Sequence, residues 1–353
     1  MLPRERQMAA IRHQVPDRIP LDVITIETCP EIAAYLKLPT DDIATVYDAL
    51  GIDGRSVGPP YTGPLPPPVR GFQLNQWGTA DGGPYGSTEH NPVPLADAET
   101  VADIERYPWP DARDYDYAAA ATAAQRAVER YATRGPGWLP LFWRACELWG
   151  FEDAMLTMLD RPALFEGTIE CLFQHVYTVC ERTVAACGDT LDIFVIKDDF
   201  ATQNGLMISP GHWRKYLKPY YARLFEIGKR AGKPVWFHSC GNILPVLPDL
   251  IDIGMDVWET VQLHTLPISA RQLKQEYGHH ITFNGGINTQ ALPFGSPRSV
   301  RDEVLRRLEE LGEGGGFICG PDHHIKPDVP PENSVALFQT VREFRRAGYT
   351  TAT

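Results

Sequence analysis

The sequence predicts one α/β domain, a (β/α)8 TIM barrel with a capping insertion after its second strand. Short segments rich in β-branched and aromatic residues alternate with longer helical segments, which is the pattern of a parallel sheet with crossover helices. We count eight such strand segments in 353 residues, and single barrels run from about 200 to over 400 residues. An open doubly wound sheet is the alternative fold.

The predicted elements follow the chain in order, with no internal repeat and no second domain. The strands are expected at residues 19–26, 52–57, 138–143, 191–197, 233–238, 255–261, 280–286 and 315–320. The helices with the strongest boundary signals are expected at residues 152–187, 210–232 and 297–314, where Pro and Gly bound or interrupt the pattern.

One segment, residues 58–110, does not fit a plain βα unit. It opens with the Pro-rich run at 58–71, and Asp81-Gly82-Gly83 predicts a hairpin turn further on. Because the segment follows a strand, we expect it at the C-terminal mouth of the barrel, where barrel enzymes keep their active sites. We therefore interpret it as a cap over the site.

Charge and composition exclude several classes of partner. The chain carries 33 Lys+Arg against 45 Asp+Glu, a net charge of −12, which disfavours nucleic acid and anionic membranes. Its seven cysteines are odd in number and scattered, which indicates a reducing compartment. With neither a signal-peptide pattern nor a long apolar run, we expect a cytoplasmic protein. The oligomeric state stays open, a homo-oligomer included.

Residues at the ends of two predicted strands are suited to bind a metal. In KPVWFHSCG, His238 and Cys240 lie two positions apart, and strand side chains alternate with period two, so both project from one face. Cys319 lies at the matching end of the last strand. One imidazole and two thiolates predict a Zn²⁺ site with a fourth position open to substrate. The alternative is that the cysteines are small buried hydrophobes.

Four longer segments carry a family pattern. They are AAIRHQVPDRIPLDV, WFHSCGNILPVLPDLIDIGMDVWETVQ, FNGGINTQ and GGGFICGPDHHIKPDVPPENSVALFQTVREF. Together they resemble the uroporphyrinogen decarboxylase superfamily from about residue 9 to residue 346, and the His and Cys positions resemble its zinc-dependent, cobalamin-linked methyltransferase branch. The resemblance implies methyl transfer between a corrinoid carrier and a small thiol or methoxylated substrate. No Asp-x-His-x-x-Gly pattern occurs in the chain, so we expect cobalamin in trans, on a partner corrinoid protein.

One departure from the family argues against porphyrinogen decarboxylation. Decarboxylases of this family carry an Arg-rich N-terminal segment that binds substrate carboxylates, whereas this chain reads LDVITIETCPEIAAYL there. Three other functions stay open: a metal-free decarboxylase for a small carboxylate, a metal-dependent hydrolase and a non-catalytic binding protein. Hydrolysis is disfavoured because two thiolates already cancel the charge of Zn²⁺ and weaken it as a Lewis acid.

Five further residues complete the predicted site. Glu27 is our choice for a fourth, displaceable ligand, with Cys29 as the substitute; an exposed loop carboxylate is the alternative. Asp199 and its neighbour Asp198 follow the fourth strand on opposite faces, so at most one points inward; we expect that one to orient substrate or accept a proton, and the other to cap a helix or belong to a loop. The resemblance adds His323 as a site residue. Asn284 and Asn288 could contact substrate or corrinoid, or could cap loops.

Overall fold

The computed structural model describes residues 1–80 and 92–344, and its centre is a seven-stranded parallel sheet. The neighbour order in this sheet is β1-β2-β3-β6-β7-β8-β9, and β4 and β5 form a separate antiparallel hairpin. The strand bounds are β1 Gly54–Ser56, β2 Ala132–Pro136, β3 Ile193–Lys197, β4 Ala201–Thr202, β5 Gly205–Leu206, β6 Val235–His238, β7 Val257–Val261, β8 Thr282–Ile287 and β9 Phe317–Pro321.

Helices connect the strands and cover the sheet. Their bounds within the described residues are α1 Pro3–Ile11, α2 Cys29–Leu36, α3 Ile43–Leu50, α4 Val101–Arg106, α5 Tyr117–Ala127, α6 Phe142–Trp149, α7 Phe151–Asp160, α8 Pro162–Cys187, α9 Pro210–Tyr216, α10 Lys218–Arg230, α11 Leu247–Asp252, α12 Ala270–Tyr277, α13 Pro297–Leu311 and α14 Pro331–Glu343.

The two edge strands of the sheet are both hydrogen-bonded to one N-terminal segment, residues 20–22. The amide of Asp22 donates to the carbonyl of Cys319 in β9, and the amide of Cys319 donates to the carbonyl of Pro20. On the other side, the amide of Asp53, just before β1, donates to the carbonyl of Leu21. This segment therefore joins β9 to the start of β1, and the sheet curls into a TIM-barrel-like arrangement.

Alternate strand residues fall into two apolar clusters. The larger cluster contains Phe194, Phe237 and Trp258 together with the buried faces of the surrounding helices. The smaller cluster lies on the concave face of the sheet and contains Ile193, Val195, Ala132, Trp236, Val257 and Ile318, with Ala10 and Ile11 of α1 packed against them. The period-two alternation of a strand thus separates an inner apolar layer from the layer under the helices.

The α/β class and the parallel sheet are confirmed, and six predicted strands overlap observed ones. The predicted first strand, 19–26, contains only isolated bridges at Leu21 and Ile26. The predicted strand at 138–143 is wrong, since β2 is Ala132–Pro136 and α6 begins at Phe142. Strand β2 contains Gly and Pro, residue types that strands disfavour, and a charged residue, Arg134, that is buried in an ion pair with Asp22.

The described parts of the predicted insertion pack beside the barrel. Ile104 of α4 is fully buried in the larger apolar cluster, and the ring of Trp77 lies edge-on to that of His175 in α8, with centroids 4.8 Å apart. The predicted hairpin turn at residues 81–83 lies outside the described residues. A cap over the site therefore stays a prediction.

Within residues 1–80 and 92–344, no helix combines the length and apolar character needed to cross a bilayer.

We expect Gly320→Ala to destabilise the protein, because a Cβ at this position would overlap the backbone oxygen of Asp22 where the two edge segments meet. The expected loss is about 2 kcal/mol or more in the free energy of unfolding, measured by urea denaturation. Gly211→Ala is the matched control, since its nearest contact would be the Ser209 Oγ at 3.7 Å. Equal stability of the two variants would show that the junction is looser than described.

Candidate functional site

Three polar side chains lie side by side on neighbouring strands, two of them at the C-terminal strand ends. Lys197 at the end of β3 is in register with His238 at the end of β6, and His238 is in register with Glu259 of β7. The residue before each of them belongs to the apolar layer under the helices, so these three side chains project to the concave face. Parallel pairing therefore brings an ammonium, an imidazole and a carboxylate into one row at the barrel mouth.

Two residues just beyond the strand ends complete a cluster around His238. The Sγ of Cys240 lies 3.8 Å from the Nε2 of His238, and the Oδ1 of Asp199 lies 3.6 Å from the same Nε2. The amide of Cys240 donates to the Oδ1 of Asp199 at 2.7 Å and holds the two loops together. Among the described residues, the ligand atoms of Asp199, His238 and Cys240 all lie within 4.8 Å of one another.

The spacing and chemistry of these donors fit a tetrahedral divalent cation. With Zn–N near 2.0–2.1 Å, Zn–S near 2.3 Å and carboxylate oxygen at 2.0–2.2 Å, neighbouring ligand atoms would be separated by about 3.4 to 3.6 Å. The observed separations of 3.8 and 3.6 Å are within a few tenths of an ångström of that range. An imidazole, a thiol and a carboxylate also form a donor set that Zn²⁺ accepts.

The pKa of Cys240 argues against an activated, metal-free nucleophile. Burial, and then the nearby Asp199 carboxylate, raise the pKa of the Cys240 thiol well above its usual range. An activated nucleophilic cysteine needs the opposite shift, although Cys240, His238 and Glu259 line up as a Cys-His-Glu triad would. A bound dication would instead favour the thiolate, because the opposite charge lies beside it.

Glu259 is a fully buried carboxylate beneath the cluster. Its Oε2 lies 3.1 Å from the Nδ1 of His238 and 3.5 Å from the Nζ of Lys197. Burial alone would raise the pKa of Glu259, but Lys197 and the His238 hydrogen bond outweigh it and lower the pKa below its usual range. The carboxylate is therefore ionised at neutral pH.

A cavity of about 540 Å³ opens next to Asp199 and Cys240. Its lining combines apolar and aromatic side chains with polar ones, as in small-molecule sites, and the lining residue Phe294 is 89% exposed. The lining residues are Trp143, Asp199, Ala201, Thr202, Gln203, Met207, Cys240, Gly241, Gln262, Thr289, Gln290, Pro293, Phe294, His323, His324, Lys326, Asp328 and Val329.

His323 lines this cavity as a neutral base. Burial, and then the neighbouring His324 and His238, lower the pKa of His323 to about 4. Glu27 lies beside the same wall, since its Oε1 is 3.3 Å from the Nδ1 of His324. The Glu27 side chain is 42% exposed, and Glu27 does not belong to the Asp199, His238 and Cys240 cluster.

The structure does not bring Cys319 to the cluster. Its β9 neighbour Ile318 lies in the inner apolar layer, so Cys319 faces the opposite side, where it is fully buried in the layer under the helices. Burial raises the pKa of this thiol well above its usual range. The predicted role of Cys319 as a ligand is therefore wrong, because the sequence pattern did not fix which face of the strand it occupies.

The remaining predicted residues divide between the interior and the loops. Asp198 caps α6, accepting the amides of Leu141, Phe142 and Trp143, so Asp199 is the member of the pair that faces the cavity. Asn284 is buried on β8, and its Nδ2 has no hydrogen-bond partner in the described structure.

Asn288 has the loop-capping geometry that the sequence left as the alternative. Its Oδ1 accepts the amide of Gln290 at 2.9 Å, and its side chain borders a separate cavity of about 240 Å³. Neither Asn288 nor Asn284 is among the described residues that line the main cavity.

Three residues around His238 were missed by sequence reasoning. Lys197 and Glu259 are the charged residues of two largely apolar strand segments, IFVIK and VWETV, and a charge in such a segment is a signal for a buried polar site. Trp138, whose ring lies edge-on to His238 with centroids 6.2 Å apart, stands in a segment that we predicted as a strand.

The fold and the site define an α/β enzyme-like architecture with a metal-type donor cluster at the C-terminal mouth of a parallel sheet. A family model described as uroporphyrinogen decarboxylase (URO-D) matches residues 86–344. The chain therefore belongs to the URO-D family, which confirms the resemblance seen in the sequence.

Relatives named uroporphyrinogen decarboxylase are similar at moderate identity. The Pseudomonas syringae pv. syringae protein is 26% identical over 280 residues, 74% of this chain and 73% of that protein. The Neisseria meningitidis serogroup C protein is 33% identical over 205 residues, 56% of this chain and 53% of that protein. The match to the Methylococcus capsulatus protein, 25% identical over 206 residues, spans 55% of that relative's length.

A solved structure with the same fold is a methyltransferase from Methanosarcina mazei. Its TM-score is 0.65 at 20% sequence identity, and the match covers 97% of this chain and 99% of that chain. At this identity the likeness establishes the shared fold.

We expect His323 to titrate near pH 4 in the metal-free protein, against about 6.5 for an ordinary histidine. Because the folded pKa is lowered, the unfolded chain binds more protons below pH 6.5, so stability falls as pH drops from 6.5 toward 4. Histidine NMR titration gives the midpoint, and the His323→Gln variant assigns the signal. The same variant should lose less stability than wild type between pH 6.5 and pH 4. A midpoint above pH 6 would contradict the buried, neutral state.

Proposed function

We propose that this protein is a zinc-dependent methyltransferase that moves a methyl group between a corrinoid carrier and a small thiol or methoxylated substrate. The observation that carries the proposal is the Asp199, His238 and Cys240 cluster, which has metal-ligand spacing and borders a cavity large enough for a small molecule. The corrinoid would be brought by a separate partner protein, as we expect from the sequence.

Three side-chain atoms would hold the metal: the Nε2 of His238, the Sγ of Cys240 and the Oδ1 of Asp199. One thiolate and one carboxylate carry the same total charge as the two thiolates that the sequence predicted, so the argument against hydrolysis survives the loss of Cys319. When bound, Zn²⁺ would hold a substrate sulfur as a nucleophilic thiolate, or polarise the oxygen of a methyl ether.

The residues of the cavity would handle the substrate and its proton. His323, neutral at pH 7, would accept the S–H proton of a thiol on a ring nitrogen. Trp143 and Met207 line the apolar part of the cavity and would exclude water from the reacting groups. The exposed Phe294 at the wall offers an aromatic contact to the corrinoid-carrying partner.

Decarboxylation is the second candidate, because the curated relatives carry that name. A decarboxylase that works without metal has no need of a Cys, His and Asp cluster with metal-ligand spacing. The N-terminal segment at 21–36 also offers no arginine for a substrate with several carboxylates. These two features favour methyl transfer for this chain.

We expect His238→Ala and Cys240→Ala each to lower Zn²⁺ affinity by at least tenfold, because each removes one of three ligand atoms. Chelator competition on the folded variants measures this loss. Cys319→Ala is the matched control, since it removes a thiol that lies under the helices, and its Zn²⁺ affinity should stay within twofold of wild type. Equal Zn²⁺ affinity of all variants would show that this cluster is not the metal site. A loss of Zn²⁺ affinity in Cys319→Ala would instead support the ligand set predicted from the sequence, in which Cys319 binds the metal.

We expect the zinc-loaded protein to change the visible spectrum of a corrinoid in the presence of its methyl substrate. Cob(I)alamin with methoxylated aromatic compounds, and methylcobalamin with small thiols, test both directions of transfer. The His238→Ala variant should lose activity by at least 100-fold. Release of CO₂ from a small carboxylate by metal-free protein, with no corrinoid reaction, would support the decarboxylase instead.

A further inference from the structure

We propose that Glu259 and Lys197 are a positioning pair that orients the His238 imidazole, with its Nδ1 protonated and its Nε2 lone pair facing Asp199 and Cys240. The purpose of this arrangement rests on the proposed function, because it prepares Nε2 for a metal. The arrangement itself is a property of the protein's own residues and can be tested without metal.

The hydrogen bond between His238 and Glu259 fixes the tautomer. A neutral imidazole carries one N–H, and an ionised carboxylate can only accept. Because the Nδ1 of His238 lies 3.1 Å from the Oε2 of Glu259, Nδ1 is the nitrogen that carries the proton. Nε2 is then an acceptor, and it is the nitrogen that faces Cys240 and Asp199.

Lys197 keeps the Glu259 carboxylate charged in a buried position. Its Nζ lies 3.5 Å from the same Oε2 that His238 contacts. Lys197 is on β3 and Glu259 is on β7, the two strands that flank β6 in the sheet. The other oxygen, Oε1, is buried with no hydrogen-bond partner in the described structure. Glu259 thus directs its one satisfied oxygen to His238 and Lys197.

Packing gives no reason for a carboxylate at this position. The inner layer directly before the row is apolar, with Val195, Trp236 and Val257, and an apolar side chain avoids the desolvation of a buried, half-satisfied ion. The contacts that distinguish Glu259 from an apolar residue are those to His238 and Lys197. Metal-binding histidines generally donate their second ring N–H to a carboxylate or another acceptor, which orients the imidazole toward the metal.

The tautomer of His238 tests the inference directly on wild-type, metal-free protein. Nitrogen-15 NMR of the histidine rings at pH 8.5, with His238→Gln to assign the signals, distinguishes an Nδ1–H ring from an Nε2–H ring. We expect the Nδ1–H form. An Nε2–H ring would overturn the proposal whether or not the protein binds metal.

Substitution of Glu259 tests the consequence. Glu259→Gln keeps the size of the side chain and removes its charge, and we expect Zn²⁺ affinity to fall by 10- to 100-fold together with a mixed tautomer population. Glu166→Gln is the matched control, because Glu166 pairs with Lys215 on the surface, with both side chains about half exposed, and it should change neither measurement. Unchanged affinity and tautomer in a folded Glu259→Gln protein would overturn the proposal.

Lys197→Met provides a second variant if Glu259→Gln fails to fold. It removes the ammonium that keeps Glu259 charged and leaves the His238 and Glu259 contact in place, so we expect a smaller loss of Zn²⁺ affinity than in Glu259→Gln, with part of the Nδ1–H population lost. Unchanged Zn²⁺ affinity and an unchanged tautomer in a folded Lys197→Met protein would remove Lys197 from the positioning pair. If wild-type protein binds no Zn²⁺ but shows the Nδ1–H ring, the proposed function fails and the positioning pair stands.

Discussion

The register of three parallel strands is the constraint on which the site depends. Pairing of β3, β6 and β7 places Lys197, His238 and Glu259 at one level, and period-two alternation turns all three toward the concave face. A shift of one residue in any strand would bury its polar side chain under the helices and send an apolar residue to the mouth. The apolar inner layer below the row packs the same three strands together and supports that register.

Family membership and chemistry are separate conclusions for this chain. The family match and the shared fold establish the architecture, yet relatives named decarboxylase and a structural neighbour named methyltransferase share it. Function therefore has to be argued from the site. Here burial, and then the Asp199 carboxylate, raise the pKa of the Cys240 thiol, which is unfavourable for a free nucleophile. The spacing of Asp199, His238 and Cys240 is what links the fold to the proposed methyl transfer.

Local patterns in the sequence predicted most of the sheet and part of the site. Six strands and the pair His238 and Cys240 follow from apolar segments and a two-residue spacing, which are local signals. The prediction that Cys319 binds the metal failed because a side chain at a strand end can face either side of the sheet. The packing of its neighbour Ile318 in the inner layer decides which side Cys319 faces. Glu259 was missed because its partner is on the adjacent strand, so its role appears only once the register is known. Strand β2 was missed because Arg134 is stabilised by the distant Asp22.

The most direct test of the proposed metal centre is zinc K-edge X-ray absorption spectroscopy of the zinc-loaded protein. The proposed ligand set predicts a single sulfur ligand, from Cys240, at about 2.3 Å, with the other ligands nitrogen or oxygen at about 2.0 to 2.2 Å. In substrate-free protein, a fitted shell of two sulfurs, or a site with none, would contradict the ligand set on which this account rests.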